Sequence, residues 1–295
     1  MLNRSLAVLL FVLMLAGKTK AQDLQQQLAI MEDSLVNTAD SMYNAFIPDE
    51  RAIYNEQFVR QLVRALKIKG SYDHPFTKLQ QKINIIYPED KAFRIFNWAL
   101  APTDNTRRYY GAMQMPGDAL KLYPLVDYSA NLNKGAEDSI LSNGKWFGAL
   151  YYRIIPHEVA GQTVYTMFGL NASSAISNKK IMDPMMLKGT GPVFGAPIFN
   201  VRSQTMPTER INRFVMEYKK EVQASLNWDA EMNAVYFDKL VSSVNDPNRK
   251  YTYVPSGQYD GFRWLNDQWT YMQDLIPIDP LTDGKAPAPV PVKKD

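Results

Sequence analysis

The 295-residue sequence contains no cysteine and only two histidines, His74 and His157. The absence of cysteine excludes disulfide bonds and lipid attachment to an N-terminal cysteine. Two histidines offer little to a metal ion, because zinc sites typically use three or four protein ligands. His74 precedes a proline at a predicted helix start, where capping explains it, and His157 lies in a predicted turn, where we expect it to be solvated. We therefore expect no metal site and no cofactor.

The chain also lacks a long hydrophobic run. Residues 1–21 have a basic start at Arg4, an apolar run over 6–16, and the small residues Thr19 and Ala21 before Gln22. This pattern is typical of a cleaved secretory signal peptide, and the run is too short to cross a bilayer. An uncleaved membrane anchor is the alternative. We expect an exported protein, periplasmic or associated with the outer envelope, with no transmembrane span after cleavage.

Without that segment the chain has no net charge. The segment contains Arg4, Lys18 and Lys20 and no acidic residue, so 30 of the 33 basic residues remain, against 30 acidic ones. A neutral chain has no broad field to attract nucleic acid or anionic lipid. We therefore expect no nucleic-acid partner.

Apolar residues predict helices over 22–88. Their spacing by three and four residues marks one helix over 23–46, which ends at Ile47 because the residue before a proline is disfavoured in the α region. A second helix follows Pro48, and a third is predicted to begin near Pro75 and to bury Phe76, Leu79 and Ile83. The stripe of the first helix consists of Leu24, Leu28, Met31, Leu35, Thr38 and Met42. We expect it to pack within the chain, with a coiled-coil partner as the alternative.

The apolar period changes near Phe93, and roughly a dozen short strands follow to Ile276 with no helix between them. The predicted fold is α+β and mainly β, with N-terminal helices followed by a large antiparallel β-meander that resembles a sandwich or a barrel. The predicted domains are a signal peptide (1–21), a helical region (22–88), an antiparallel β domain (89–278) and a Pro-rich disordered tail (279–295).

Three turns define the predicted pairing. Residues 145–170 are predicted to form a hairpin with its turn at 156–161, and apolar residues on both faces of the first strand indicate a central strand. Asn143 and Gly144 predict a type I′ turn, which would set Leu141 opposite Trp146. A final turn at residues 266–267 would set Trp264 opposite Trp269 and Phe262 opposite Tyr271.

Three segments carry a resemblance to known proteins. Residues 177–183, 191–199 and 253–262 resemble segments of exported Bacteroidota proteins of unknown function, over about residues 93–276. The resemblance implies export and a single β-rich unit. It carries over no activity and no site residue.

No nucleophilic motif stands out. The sequence has no Gly-x-Ser-x-Gly elbow, and the spacing Ser-x-x-Lys occurs twice, from Ser177 to Lys180 and from Ser142 to Lys145. The companion motifs of β-lactamases are missing, so the spacing alone indicates no catalysis.

Four acidic residues near strand ends are the candidate catalytic residues: Asp229, Glu231, Asp260 and Asp274. Acids beside tryptophans are found in carbohydrate-cleaving sites, where two carboxyl groups flank the scissile bond. Aspartate at a turn also needs no function, because its side chain bonds the nearby backbone.

Our leading hypothesis is a non-enzymatic, exported binding or envelope-associated domain, with an envelope protein or a glycan as its partner. The alternative is a periplasmic hydrolase that acts on carbohydrate through paired carboxylates among the four acids. A third hypothesis is a scaffold that binds partners through the stripe of the first helix and the tail at 279–295.

Overall fold

A computed structural model describes residues 2–102, 106–132, 135–203, 206–209 and 211–277, with side chains over 22–201 and 211–277 of these ranges. The tail predicted at 279–295 lies outside the described residues. Helix α1 (Leu2–Asn44) continues across the predicted cleavage site after Ala21, and cleavage stays a prediction. Helix α2 spans Pro48–Leu66.

Sixteen strands follow in the described residues, linked by turns and short 3-10 helices. The strands are β1 (Asn84–Ile86), β2 (Arg94–Leu100), β3 (Arg108–Gln114), β4 (Leu122–Val126), β5 (Leu141–Ser142), β6 (Leu150–Val159), β7 (Gln162–Asn171), β8 (Ser177–Lys188), β9 (Gly191–Phe194), β10 (Phe199–Ser203), β11 (Met206–Glu209), β12 (Phe214–Lys219), β13 (Leu226–Asp229), β14 (Ala234–Ser242), β15 (Tyr253–Leu265) and β16 (Gln268–Ile276). The 3-10 helices are Leu79–Gln81, Ser129–Asn131, Ala136–Asp138, Asn143–Lys145 and Lys250–Thr252.

The strands form three sheets rather than a closed barrel. The first sheet has the order β1-β2-β3-β4, and the second has β5-β9-β8-β7-β6 with β12 paired to β8. The third has the order β11-β10-β16-β15-β14-β13. All strand pairs are antiparallel except β10 with β16. The prediction of a mainly β, α+β fold with N-terminal helices is confirmed.

The sheets and the helices stack in four layers. On β2, Phe96 packs into a cluster with the helices, whereas Ile95 packs into a cluster with the second sheet. On β7, Met167 faces the first sheet and Phe168 faces the third sheet. Like the first sheet, the second sheet is therefore an inner layer, covered on both faces. This explains why its strands carry apolar residues on both sides.

Arg94, on β2, connects the first sheet to the segment that follows α2. Its guanidinium is fully buried and donates to the Gln114 side chain at 2.8 Å and to the backbone oxygens of Ser71 at 2.6 Å and His74 at 2.7 Å. The His74 oxygen is one that the first turn of a helix beginning near Pro75 would use, and Phe76 has positive φ, which a right-handed helix does not allow. The third helix predicted near Pro75 is wrong, and a 3-10 turn at Leu79–Gln81 replaces it.

The buried residues predicted for that segment are nevertheless buried. Phe76 and Leu79 are fully buried, and Ile83 is nearly so. Four of the six residues in the predicted stripe of the first helix are buried, namely Leu28, Leu35, Thr38 and Met42. The other two, Leu24 and Met31, are half-buried.

Strand β6 was predicted to be central, and this is wrong. It is the last strand of its sheet, and β9, β8 and β7 hold the inner positions. Side chains of the first sheet cover its edge: the Asn84 amide donates to the Tyr151 oxygen, and the Asn97 amide donates to the Ala149 oxygen at 2.6 Å. Burial on both faces thus reflects the inner layer and not an inner position within the sheet.

The turn predicted at Asn143 and Gly144 is also wrong. Residues Asn143–Lys145 form a 3-10 turn, and Leu141 pairs with Phe194 of β9. The backbone nitrogen of Trp146 donates to the Val126 oxygen at 2.8 Å, which carries the chain onto the first sheet instead.

The final hairpin is confirmed. Trp264 pairs with Trp269 and Phe262 with Tyr271, and both turn residues, Asn266 and Asp267, have positive φ. The hairpin of β6 and β7 turns at Ala160 and Gly161 only, so residues 156–159 belong to the strand and not to the predicted turn.

A glycine substitution tests the packing of the third sheet. A Cβ on Gly261 would lie 2.4 Å from the backbone oxygen of Val235, which cannot move without opening the sheet. We expect Gly261→Ala to lower the free energy of unfolding by about 2 kcal/mol, as overpacking does. Urea unfolding measures the change.

Gly189→Ala is the matched control, because nothing lies within 4 Å of a Cβ there. We expect it to change stability by less than about 0.5 kcal/mol. Equal unfolding midpoints for the two variants would contradict the described β14–β15 contact.

Candidate functional site

A cleft of about 180 Å³ opens where separate parts of the chain meet. The turn of residues 135–137 lines it with Gly135, Ala136 and Glu137. Lys179 of β8, Val215 and Glu217 of β12, and Lys250 of the β14–β15 connection complete the lining. Concave junctions of this kind are where small-molecule sites usually occur.

The cleft carries two positive and two negative side chains. Lys179 Nζ lies 3.9 Å from Glu217 Oε2, and Lys250 Nζ lies 3.9 Å from Glu137 Oε2. Both distances exceed ordinary hydrogen-bond lengths, so each pair is in electrostatic contact only. The lining is therefore neutral overall, but it presents separate charges of both signs.

Strand pairing explains this arrangement. In the antiparallel register of β8 and β12, Lys179 lies opposite Glu217 and Ile181 lies opposite Val215. Because alternate residues of a strand share a face, Asp183 comes next on that face of β8, and Arg213, which directly precedes β12, forms an ion pair with it there. The face thus runs from the charged cleft, across an apolar pair, to a second charged pair.

The second pair is completely buried. Arg213 Nε donates to Asp183 Oδ1 at 2.7 Å, and neither side chain is exposed. The Tyr151 hydroxyl donates to Asp183 Oδ2 at 2.8 Å, and Trp146 Nε1 donates to the Tyr151 oxygen at 2.7 Å. Burial raises the pKa of Asp183, against the opposing effects of Arg213 and Tyr151. Burial also raises the pKa of Tyr151 well above its ordinary value.

Arg213 also positions one wall of the cleft. Its Nη1 donates to the Ala136 oxygen at 2.5 Å, and its backbone nitrogen donates to the Glu137 oxygen at 3.1 Å. The buried pair therefore fixes the turn of residues 135–137 relative to β12. Within the described residues Arg213 Nη2 is buried and has no hydrogen-bond partner.

Two of the four candidate acids stand apart from each other. Asp229 Oδ1 accepts the backbone N–H groups of Glu231 and Met232, each at 2.9 Å, and the Glu231 side chain is exposed. Asp229 pairs with Ala234, and Asp260 pairs with Phe237, three residues along β14. An odd separation places Asp229 and Asp260 on opposite faces of the sheet, so they flank no common space.

Asp260 and Asp274, by contrast, are neighbours. Asp260 Oδ1 accepts the backbone N–H of Asp274 at 3.0 Å, and its Oδ2 accepts the Tyr271 hydroxyl at 2.5 Å. Asp274 has positive φ beside an irregularity in the β15–β16 register. Its bond from Lys239 lowers its pKa, whereas a catalytic acid needs a raised pKa. Asp260 therefore serves to hold a bulge.

The sequence suggested that His157 is solvated in a turn, and this is wrong. It lies on β6, and its ring stacks on Trp264 with centroids 3.9 Å apart and meets Trp269 edge-on at 4.9 Å. Its Nε2 is buried with no hydrogen-bond partner among the described residues. Burial lowers the pKa of His157 to about 4. The neutral ring therefore acts as an aromatic spacer between the second and third sheets.

His74 likewise contacts a distant residue. Its Nε2 lies 2.8 Å from Glu32 Oε2, and Glu32 Oε1 accepts the backbone N–H groups of Lys78 at 2.7 Å and Leu79 at 3.0 Å. The nearly buried Glu32 thus ties α1 to the 3-10 turn. Capping of a helix at His74, as predicted, is wrong because no helix begins there.

The remaining motifs bring no reactive groups together. Ser177 and Lys180 are three residues apart on a strand and so point to opposite faces; Ser177 Oγ donates to Glu217 Oε1 at 2.5 Å. Among the described residues, no group of three or more His, Cys, Asp or Glu could hold a metal ion. Neither helix, over its described residues, is long and apolar enough to span a membrane.

The sequence analysis missed the cleft residues, although a signal was present. Two segments repeat the order basic–apolar–acidic at every second position: Lys179, Ile181, Asp183, and Arg213, Val215, Glu217. Antiparallel pairing sets each basic residue opposite an acidic one, which is a favourable cross-strand arrangement. Reading the signal required pairing two strands about thirty residues apart.

A double-mutant cycle tests the buried pair. Asp183→Leu and Arg213→Met each leave one charge unpaired in the interior, so we expect each to destabilise the protein by about 3–5 kcal/mol. The double variant removes both charges, and its loss should be smaller than the sum of the single losses by about 2 kcal/mol or more. Urea unfolding measures all three.

Additive losses would show that the two side chains do not depend on each other. If a single variant fails to fold, a folded double variant gives the same support. Tyr151→Phe, which removes the bond to Asp183 and the bond from Trp146 but leaves the ion pair, should cost about 2–3 kcal/mol.

His157 predicts an acid-dependent loss of stability. Its pKa is about 4 in the folded protein and about 6.5 when unfolded, so the unfolded chain binds more protons between these values. The contribution of His157 to the free energy of unfolding is then fully present above about pH 6.5 and is lost as the pH drops towards 4. Allowing for partial solvent exposure, we expect a contribution of about 2 kcal/mol.

His157→Phe keeps the ring and removes the titration. The difference in unfolding free energy between wild type and variant should change between pH 7 and pH 4.5, while contributions from other acids cancel. Parallel stability curves over that range would contradict the burial of a neutral His157.

Comparison of the chain with protein-family models, with characterised proteins and with solved structures gives no match in any of the three.

Proposed function

We propose that this protein is an exported, non-enzymatic binding domain that takes a small ligand in the cleft between β8, β12 and the turn of residues 135–137. The observation that carries the proposal is that the buried Asp183–Arg213 pair holds this charged cleft in a fixed shape. Export rests on the leader pattern of residues 1–21.

The cleft is supported from below and from one side. Lys179, Val215 and Glu217 lie on paired strands of the second sheet, and Ile181, opposite Val215 on the same face, is fully buried. A site held by rigid elements loses little conformational entropy when a ligand binds. This favours recognition over catalysis by a mobile loop.

Chemical groups in the lining point the same way. Among the described residues that line the cleft, the side chains are two lysines, two glutamates, an alanine and a valine. Acids elsewhere in the β region, such as Asp183 and Asp260, accept hydrogen bonds that build the fold. Such charges position the chain and leave the cleft residues to contact a ligand.

A carbohydrate hydrolase is the second candidate. Its specific support is the proximity of Asp260 and Asp274, since glycosidases use two nearby carboxyl groups. Against it stand the hydrogen bonds that already occupy Asp260 and the lowered pKa of Asp274. We therefore rank it below the binding domain.

Blocking the cleft tests the proposal. Ligand-observed NMR with short peptides, oligosaccharides and inorganic phosphate would first identify a binder of the full chain. We expect Val215→Trp, which fills the cleft from β12, to weaken that binding at least about tenfold, equivalent to about 1.4 kcal/mol. Val244→Trp, at a position 51% exposed and outside the cleft lining, is the control and should bind normally.

Ala136→Phe blocks the cleft from its turn and covers the case in which Val215→Trp is unstable. Binding that is unchanged in both blocking variants would place the ligand elsewhere and overturn the proposal. Turnover of aryl glycosides that Asp274→Asn abolishes would establish the hydrolase instead.

A further inference from the structure

We infer that the cleft takes a zwitterionic ligand, an amino acid or a short peptide whose carboxylate meets Lys179 and Lys250 and whose ammonium group meets Glu217. The inference rests on the proposed function and names the ligand class. The juxtaposition of two lysines and two glutamates around one small cleft carries it.

The two ammonium groups have donors to offer. Lys179 and Lys250 each approach a carboxylate no closer than 3.9 Å, and neither donates a hydrogen bond to another described residue. A lysine ammonium has three donors, and a carboxylate has two oxygens that accept several bonds. A ligand carboxylate between the two lysines would accept bonds from both.

A cationic group also has a place to bind. The Ser177 hydroxyl donates a hydrogen bond to Glu217 Oε1. Among the described residues, the charged neighbour of Glu217 Oε2 is Lys179 Nζ, 3.9 Å away. Glu217 lines the cleft and its side chain is 23% exposed, so its carboxylate is partly shielded from water. A ligand ammonium can therefore form a charge-assisted bond there, of the stronger kind.

Neutral overall charge selects against ligands of a single sign. A purely anionic ligand near the lysines also lies near two carboxylates, and a purely cationic ligand near the glutamates also lies near two ammonium groups. Attraction and repulsion follow the same distance law and largely cancel for either. A zwitterion oriented with each charge towards its opposite gains from both pairs.

Size limits the ligand further. The cleft volume of about 180 Å³ is below the roughly 300–1,000 Å³ typical of sites for drug-sized molecules. An amino acid or the small residues of a dipeptide match this space. The additional residues of a longer peptide would have to extend out of the cleft through its open side.

Four matched probes test the charge requirement. Ala-Ala, N-acetyl-Ala-Ala, Ala-Ala-amide and the doubly blocked N-acetyl-Ala-Ala-amide would be titrated into the full chain by calorimetry at low ionic strength. We expect Ala-Ala to bind, and the loss of either terminal charge to weaken binding about tenfold or more, since charge-assisted bonds are lost.

Charge variants assign each end of the ligand. In Lys250→Gln, the loss of affinity caused by amidating the C-terminus of the peptide should be at least about threefold smaller than in wild type. In Glu217→Gln, the loss of affinity caused by acetylating its N-terminus should be smaller by a similar factor. Lys219→Gln removes a lysine on the same strand as Glu217 but outside the cleft lining, and should bind all four probes as wild type does.

The outcomes separate this inference from the proposed function. No binding of Ala-Ala, or equal binding of all four probes, overturns the inference. If another ligand class still binds and Val215→Trp abolishes that binding, the proposed binding function stands without it. Ala-Ala binding that Val215→Trp leaves unchanged overturns both.

Discussion

The buried ion pair of Asp183 and Arg213 is the contact on which the inner layer depends. It joins β12 to β8 across thirty residues of chain, and Tyr151 and Trp146 extend it to β6 and to the crossing from the first sheet. Removing two charges from water is costly, and good geometry with further hydrogen bonds is needed to offset that cost. Asp183 has such bonds on both oxygens, so the pair can specify which strands meet.

Pairing of β12 with β8 has a consequence for the surface. Along one face the pairs change from the fully buried ion pair of Asp183 with Arg213, which directly precedes β12, through the cross-strand pair Ile181–Val215, to Lys179–Glu217 at the cleft. The same complementary charges are therefore structural at one end, where they touch at 2.7 Å, and accessible at the other, where they stand 3.9 Å apart. The buried pair uses arginine, whose planar guanidinium suits a buried ion pair, and the accessible pair uses lysine.

Local rules predicted the parts of the fold that local interactions decide. The final hairpin follows from Asn266 and Asp267, because positive φ at both turn residues fixes the register of the tryptophans beside them. The stripe of the first helix follows from its period. The turn at Asn143 failed because Trp146 has a partner in β4, and the third helix failed because Arg94 takes the His74 oxygen that its first turn would use. In both places a contact distant in sequence outweighed the local preference.

The same reasoning explains why the cleft was harder to predict than the fold. A cleft exists only where separate segments meet, and its lysines and glutamates are unremarkable in any window of sequence. His157 shows the limit clearly: beside a turn it resembles a solvated histidine, yet two tryptophans from β15 and β16 enclose it. What the sequence does contain is complementarity between segments, as in the matching order of charges on β8 and β12. Testing candidate strand pairs for that complementarity would therefore have found the buried pair first, and the cleft as its open end.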